Sequence, residues 1–386
     1  MKKRMSTSIS PKVEPKRQRL FTHRFLPMIL LLSAAFFIGS AFIITDYKER
    51  ILGWGSVMVL QHTRPKMCET QCRAYGSEAL PRGIISKTSD LEMRPLWGLQ
   101  NKNKPKLSMN LLAIAVGIKQ KESVNKIVKK FPESDFVVML FHYDGIVDQW
   151  KDLEWNDRVI HVSAVNQTKW WFAKRFLHPD IISEYSYIFL WDEDLEVDHF
   201  SAKRYLSIIK KEGLEISQPA LDPEKSELHH PITGRDKKST VHRRTYKVIG
   251  KTRCNETSTG PPCTGFVEMM APVFSIASWR CAWHMIQSDL IYGWGLDFQL
   301  GYCAQGDRTQ KIGIVDAEYV VHNAIPTLGG LAEKKVPSPS SEPDGRSEVK
   351  KQSFIELEVF KNRWKRAVKQ DNCWFDPYEQ SMKKQQ

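Results

Sequence analysis

The chain has 386 residues, 41% of them hydrophobic and 26% charged. That balance excludes a disordered or collagen-like chain and leaves room for one large domain or two. The formal charge of +13 is concentrated at one end, where residues 1–24 hold eight Lys/Arg against the single acid Glu14; the rest is only mildly basic and carries no electrostatic footprint for a nucleic acid.

Behind the basic tail (1–24), Phe25 to Thr45 is an uncharged run of 21 residues, FLPMILLLSAAFFIGSAFIIT. About 20 apolar residues cross the hydrocarbon core as a helix. Basic residues stay on the cytoplasmic side, so 25–45 reads as a transmembrane signal anchor with the body in the lumen. Gly39-Ser40-Ala41 would also suit a cleaved signal peptide, but the run is longer than a usual signal core. Residues 46–106 read as a stem, and 107–330 as the main domain. Pro337-Ser338-Pro339-Ser340-Ser341-Glu342-Pro343 opens a C-terminal segment, 331–386, made of a linker and a basic amphipathic helix. Phe354, Leu357, Phe360 and Trp364 share one face of that helix, either docked on the body or free for a membrane or a partner.

Within the main domain, apolar runs predict strands at Leu111–Ile118, Phe136–Phe141, Arg158–Val165, Tyr187–Trp191 and Ile312–Val321. Helical spacing predicts helices at Glu122–Lys130, Thr168–His178, Ala202–Lys211 and Ser278–Gln287. Strands alternating with helices favour an α/β fold, a mostly parallel sheet with helices on both faces. Ligands in such sheets sit beyond the carboxyl ends of the strands.

All seven cysteines lie beyond the anchor, in the compartment where disulfides persist. Cys254 and Cys263 bracket a Gly-Pro-Pro loop and are candidates for a bridge. Asn166-Gln167-Thr168 and Asn255-Glu256-Thr257 are glycosylation triplets, usable at Asn166 and Asn255 only in a secretory lumen.

The acidic run Asp192-Glu193-Asp194 follows directly on YIFLW. Side chains alternate in extended chain, so Asp192 and Asp194 point the same way. Two close carboxylates at a strand end call for a cation, either Mn²⁺ or Mg²⁺ shared with substrate phosphates, or a Lys/Arg partner. Trp191 stands beside them as a candidate substrate contact. Downstream, Gly293-Trp294-Gly295-Leu296-Asp297 is a glycine-aromatic turn ending in a carboxylate. Trp294 offers a face for sugar CH groups, and Gly295 permits close backbone approach. Asp297 is then a general base or a helix N-cap. His322, after the last strand, is a metal ligand or a satisfied polar residue. Arg235 lies in a basic loop, 229–253, that is solvated or clamps a diphosphate.

The stretches YIFLWDEDLEVDHF, EGLEISQPALD, PPCTGFVEMMAPVFS, WRCAWHMIQSDLIYGWGLDFQLGYCAQGDR and VVHNAIPTLG closely resemble a plant family of unknown function over about residues 60–375. Its members are often labelled as related to trans-splicing of lysine–ketoglutarate reductase. That label implies work on RNA, yet no RNP-type aromatic motif or clustered basic groove is present, so no nucleic-acid partner is expected. More distantly, the organisation looks like the GT-A glycosyltransferases. That likeness implies a nucleotide-sugar-binding α/β fold, a D-x-D at Asp192 and Asp194 and a metal-ligand histidine at His322. It also implies an acceptor and base motif at Gly293–Asp297, where other members often carry a Glu-Asp pair, and type II Golgi anchoring. By this resemblance the chain is a Golgi enzyme that moves a sugar from a nucleoside-diphosphate sugar to a glycan, protein or small-molecule acceptor. Rival readings are a non-catalytic luminal glycan-binding or assembly protein and a metal-dependent phosphoesterase using the same carboxylates.

Overall fold

The computed structural model describes residues 75–85, 109–247, 254–325 and 345–378. The anchor at 25–45, the basic tail and the 337–343 linker fall outside them. Among the described residues no helix is long and apolar enough to cross a membrane.

Nine strands form the sheet: β1 (Asn110–Val116), β2 (Phe136–His142), β3 (Ile160–Ser163), β4 (Tyr187–Trp191), β5 (Leu195–Glu196), β6 (Ile216–Leu221), β7 (Val241–His242), β8 (Val273–Ser275) and β9 (Ile312–His322). Their order is β3-β2-β1-β4-β8-β6-β9-β5, with β7 also paired to β9. The sheet is therefore mixed where the sequence predicts a mostly parallel one. β3-β2-β1-β4 and the β6–β9 pair are parallel, whereas β8 runs antiparallel between β4 and β6, and β5 and β7 run antiparallel to β9. The short strand β8 causes the difference, because Phe274 pairs with Ile188 on one side and Ile216 on the other.

Alternation along the central strands builds a core on each face. In β1, Leu111 and Ala113 face one core, and Leu112, Ile114 and Val116 face the other. The second core is covered by α1 (Lys121–Lys129), through Val124, Ile127 and Val128, and by α3 (Ala202–Glu212), through Tyr205, Leu206 and Ile209. The first core is covered by α2 (Lys169–Phe176), α4 (Ile276–Met285) and α6 (Gly345–Gln370). A short helix, α5 (Arg308–Lys311), leads into β9. Trp191 falls on the second face, fully buried with its ring 5.3 Å from that of Phe131 and 4.9 Å from that of Phe200. It is a core residue and touches no open site, which corrects its reading as a substrate contact.

Leu80 and Ile84, within the expected stem, are fully buried in the first core. The C-terminal helix packs beside them: the Arg82 amide donates to Asp371 at 2.9 Å, and Gly83 lies against Ala367. Phe360 and Trp364 are buried, whereas Phe354 remains half-exposed, so α6 docks on the body through the later part of its apolar face. Disulfides join Cys254 to Cys263 and Cys281 to Cys303. The second ties α4 to the end of the segment that carries Asp297.

Helix α2 also carries Lys174 into the core. This side chain is 3% exposed, donates to the Trp283 carbonyl at 2.9 Å and lies 3.7 Å from the centroid of that residue's ring. Burial pushes it down from 10.5 to about 7. Between those values the unfolded chain binds the extra proton, so the native chain gains stability as pH rises from about 7 toward 10.5. Lys174→Met should remove this slope. Urea unfolding at pH 7 and pH 10 should show wild type gaining on the variant by up to about 1.4 kcal/mol per pH unit. Equal slopes would mean that the lysine stays charged in the fold.

Candidate active site

The acidic run leaves the sheet where β4 ends, among the carboxyl ends of β1 and β2. Its first amide, on Asp192, donates to the Met270 carbonyl at 2.8 Å, so the segment before β8 sets its exit. Strand β5 then pairs with β9, placing Leu195 opposite His322. The chain beyond β9 folds over Asp194: the Asn323 amide donates to its carbonyl at 3.1 Å and the Ile325 amide to Oδ2 at 2.8 Å. Asp192, Asp194 and His322 consequently each offer a ligand atom, all within 4.8 Å of one another.

His322 Nε2 lies 3.5 Å from Asp194 Oδ2, while Nδ1 is buried without a partner. Burial works against charge on both residues, but their mutual attraction prevails: Asp194 is held below its ordinary value and His322 is raised. Two carboxylates and an imidazole with an orphaned nitrogen form a donor set that fits a divalent cation, with positions left for water and phosphate oxygens.

Asp192 is not free. Lys169, the first residue of α2, sets its Nζ 2.6 Å from Asp192 Oδ1 and also bonds the Met269 carbonyl. Burial pushes the Asp192 carboxyl up, and Lys169 pulls it back. The lysine is buried, while Asp192 keeps 37% of its side-chain surface open. The required cationic partner is thus present in the chain itself. Sequence reading places Lys169 merely at the start of a helix. The one available signal is Thr168, whose side chain caps that helix by accepting from the Trp171 amide.

Glu193, between the two aspartates, has a different task. Its Oε2 accepts the Gly117 amide at 2.7 Å, and Oε1 accepts the Tyr143 hydroxyl. Gly117 follows β1 and Tyr143 follows β2, so this buried carboxylate ties three strand ends together. Burial pushes it up to about 8, against the two bonds it accepts.

The glycine-aromatic turn is shaped by packing. Gly293 and Gly295 have φ of +69° and +99°. A Cβ at Gly293 would lie 2.6 Å from Trp170 Cδ1, and one at Gly295 would lie 2.9 Å from Phe360 Cδ1. The room at Gly295 is filled by α6, which corrects its reading as a ligand approach. Glu356 of α6 fixes the turn further by accepting the Tyr292 amide at 2.9 Å. Trp294 is exposed, with its ring edge-on to Phe354 at 5.1 Å, and stays available to a ligand. An open groove of about 690 Å³ runs along α6 past Lys350, Phe354, Ile355 and Val359; the acidic triad does not line it.

Asp297 Oδ1 accepts the amide of the next residue, Phe298, at 3.0 Å, and burial pushes the group up to about 6; it caps no helix, since the 3-10 turn that follows, Leu300–Cys303, is preceded by Gln299. Near enough to repel it lies Glu268, which sequence reading passes over as part of a strand-like stretch. Arg235 is engaged elsewhere: its guanidinium stacks 3.6 Å from the Tyr319 ring centroid, and Nε donates to the Asp316 carbonyl. The clamp predicted for Arg235 is therefore not aimed at the triad, where Lys169 stands instead. Asn166 and Asn255 are both exposed.

A family model described as "Protein of unknown function (DUF707)" matches residues 71–370. The chain belongs to the DUF707 family. No functionally curated protein matches it. Among solved structures, residues 1–349 of Staphylococcus aureus TarS overlap it with 11% identity and a TM-score of 0.34, over 55% of this chain and 59% of that one. The bifunctional glycosyltransferase WbbM overlaps it with 10% identity and a TM-score of 0.32, over 56% and 40%. The Streptococcus pneumoniae glycosyltransferase GlyE does so with 10% identity and a TM-score of 0.30, over 67% and 63%. The chain thus spans less than two thirds of each of these structures. At such scores the overlap bears on no particular residue or activity of this DUF707 chain.

Removing the Glu193 tie leaves the Gly117 amide and the Tyr143 hydroxyl without their acceptor. Glu193→Ala should cost roughly 2–4 kcal/mol in urea unfolding. An unchanged midpoint would show that the three strand ends hold without it.

Proposed function

We propose that this DUF707 protein is a divalent-metal-dependent glycosyltransferase, taking a sugar from a nucleoside diphosphate and passing it to a hydroxyl acceptor. One observation carries the reading: Asp192, Asp194 and His322 converge within 4.8 Å at the carboxyl end of β4, with Lys169 beside them. Such a cluster suits a ligand with several negative oxygens.

Asp192, Asp194 and His322 would hold Mn²⁺ or Mg²⁺. When bound, the ion neutralises charge developing on a leaving diphosphate. Lys169 supplies a second, buried positive charge at the same place, either holding Asp192 or turning to a phosphate oxygen. Glu193 keeps the strand ends fixed, so these groups need no reorganisation during the reaction. Trp294, exposed beside the Gly293–Asp297 turn, offers an aromatic face for a sugar or aglycone. The acceptor hydroxyl then enters on the side of Asp297 and Glu268, while the departing diphosphate stays with Lys169 and the triad. In the cell we place the body in the Golgi lumen on a single-pass type II anchor at 25–45, as the charge asymmetry around that run supports.

Calorimetric titration of UDP and GDP into the full-length protein in detergent, with and without Mn²⁺, tests the site. Asp194→Asn and His322→Gln should each weaken Mn²⁺-dependent nucleotide binding by at least about tenfold while leaving the melting temperature within a few degrees of wild type. Nucleotide binding that is equally strong in both variants would remove the triad from the reading.

A further inference from the structure

The lysine at the acidic run stands in an electrostatically costly place. Lys169 is the first residue of α2, at the helix end whose dipole favours anions, and its side chain is only 8% exposed. A buried cation needs partners, and Lys169 has two: Asp192 Oδ1 at 2.6 Å and the Met269 carbonyl. The next carbonyl, of Met270, accepts the Asp192 amide at 2.8 Å, so one short segment holds both members of the pair. A buried ion pair adds little net stability over apolar side chains of similar size. Its consequence falls instead on any other cation that approaches Asp192.

Asp192 can be approached. Its side chain keeps 37% of its surface open, and it offers a ligand atom within 4.8 Å of those of Asp194 and His322. An ion seated there meets a carboxylate already balanced by an ammonium on Oδ1. Like charges beside one carboxylate repel, and the partly buried setting screens them poorly. Asp194 is also drawn upon: its Oδ2 accepts the Ile325 amide at 2.8 Å and lies 3.5 Å from His322 Nε2. The two carboxylates therefore offer a divalent cation less charge than their number suggests. A diphosphate makes up the difference, because its oxygens coordinate Mn²⁺ or Mg²⁺ directly. Its negative charge is also attracted by Lys169 across the site, with no contact needed.

We propose that Lys169 is a resident counter-cation that keeps the metal ion exchangeable, so that the triad takes Mn²⁺ or Mg²⁺ tightly only together with a diphosphate; this inference rests on the metal-dependent reading above. Without nucleotide, Lys169 opposes the ion at Asp192. With nucleotide present, the same ammonium attracts the diphosphate and so offsets its repulsion of the ion. Lys169 is thus a positioning residue that acts through Asp192. After transfer the ion and the nucleoside diphosphate leave as one unit, and Lys169 again balances Asp192 alone.

Full-length protein in detergent is titrated with Mn²⁺, with and without saturating UDP, and the free aquo ion is counted by continuous-wave electron paramagnetic resonance. Lys169→Gln removes the charge but keeps a donor for Asp192 and Met269, Lys169→Met removes both, and Lys169→Arg keeps the charge. Without nucleotide, Lys169→Gln and Lys169→Met should each bind Mn²⁺ at least about tenfold more tightly than wild type, and Lys169→Arg should stay within about threefold of it. With UDP, Lys169→Gln and wild type should agree within about threefold, so the coupling between ion and nucleotide shrinks in the variant. A melting temperature within a few degrees of wild type shows that Lys169→Gln is folded. Lys169→Gln that binds Mn²⁺ alone no more tightly than wild type overturns the assignment. So does Lys169→Arg gaining as much as Lys169→Gln, since shape and not charge would then set the affinity. Wild type that binds Mn²⁺ as tightly alone as with UDP overturns it without recourse to any variant, and leaves the metal site standing. Wild type that binds no Mn²⁺ even with UDP overturns the metal-dependent reading itself.

Discussion

The pairing of the two-residue strand β5 with the end of β9 is the constraint on which the site depends. Leu195 opposite His322 brings a histidine from far along the chain to the carboxylate next to Leu195. The Ile325 amide on Asp194 Oδ2 locks that approach from beyond the strand. Without this pairing, Asp192 and Asp194 would be an acidic turn at a strand end, a common and undiagnostic feature. With it they join an imidazole whose second nitrogen is buried and unpartnered.

The surrounding structure is organised to keep that arrangement rigid. Glu193 joins the ends of β1 and β2 to the acidic run, and the Asp192 amide is fixed by Met270. Lys169 enters from the first turn of α2, whose capping residue Thr168 also donates to the Ile291 carbonyl beside the glycine-aromatic turn. That turn is held in place by Glu356 and Phe360 of the C-terminal helix, and the segment it opens is tied at Cys303 to α4. Lys169 and His322 thus stand directly beside Asp192 and Asp194.

Where a pattern is local, it is legible in the sequence. The runs at 111–118, 136–141 and 187–191 are strands, and the helical spacings at 122–130, 168–178 and 202–211 are helices within a residue or two, because each element buries its own periodic face. β6 escapes notice because Pro219 interrupts it and all six of its positions are buried, leaving no alternation to read. β8 is too short to show a period, yet it turns a parallel sheet into a mixed one. Trp191 could have been placed by parity: it follows Phe189 by two, so both rings enter the same core. Asp192, Asp194 and His322 are each legible as separate candidates, but their meeting is a long-range fact. The burial of Glu268 is likewise a property of packing that no local pattern announces. The basic loop misled in the reverse sense, because the ring of Tyr319 that engages Arg235 is distant in sequence.

The most direct measurement is pulsed electron paramagnetic resonance of Mn²⁺ bound to the full-length protein in the presence of UDP. One bound ion is predicted, showing nitrogen coupling from an imidazole and phosphorus coupling from the diphosphate, with the nitrogen signal lost when His322 is replaced by Gln. An ion coordinated by water alone, or one whose nitrogen coupling survives that replacement, would contradict a metal centre built from Asp192, Asp194 and His322.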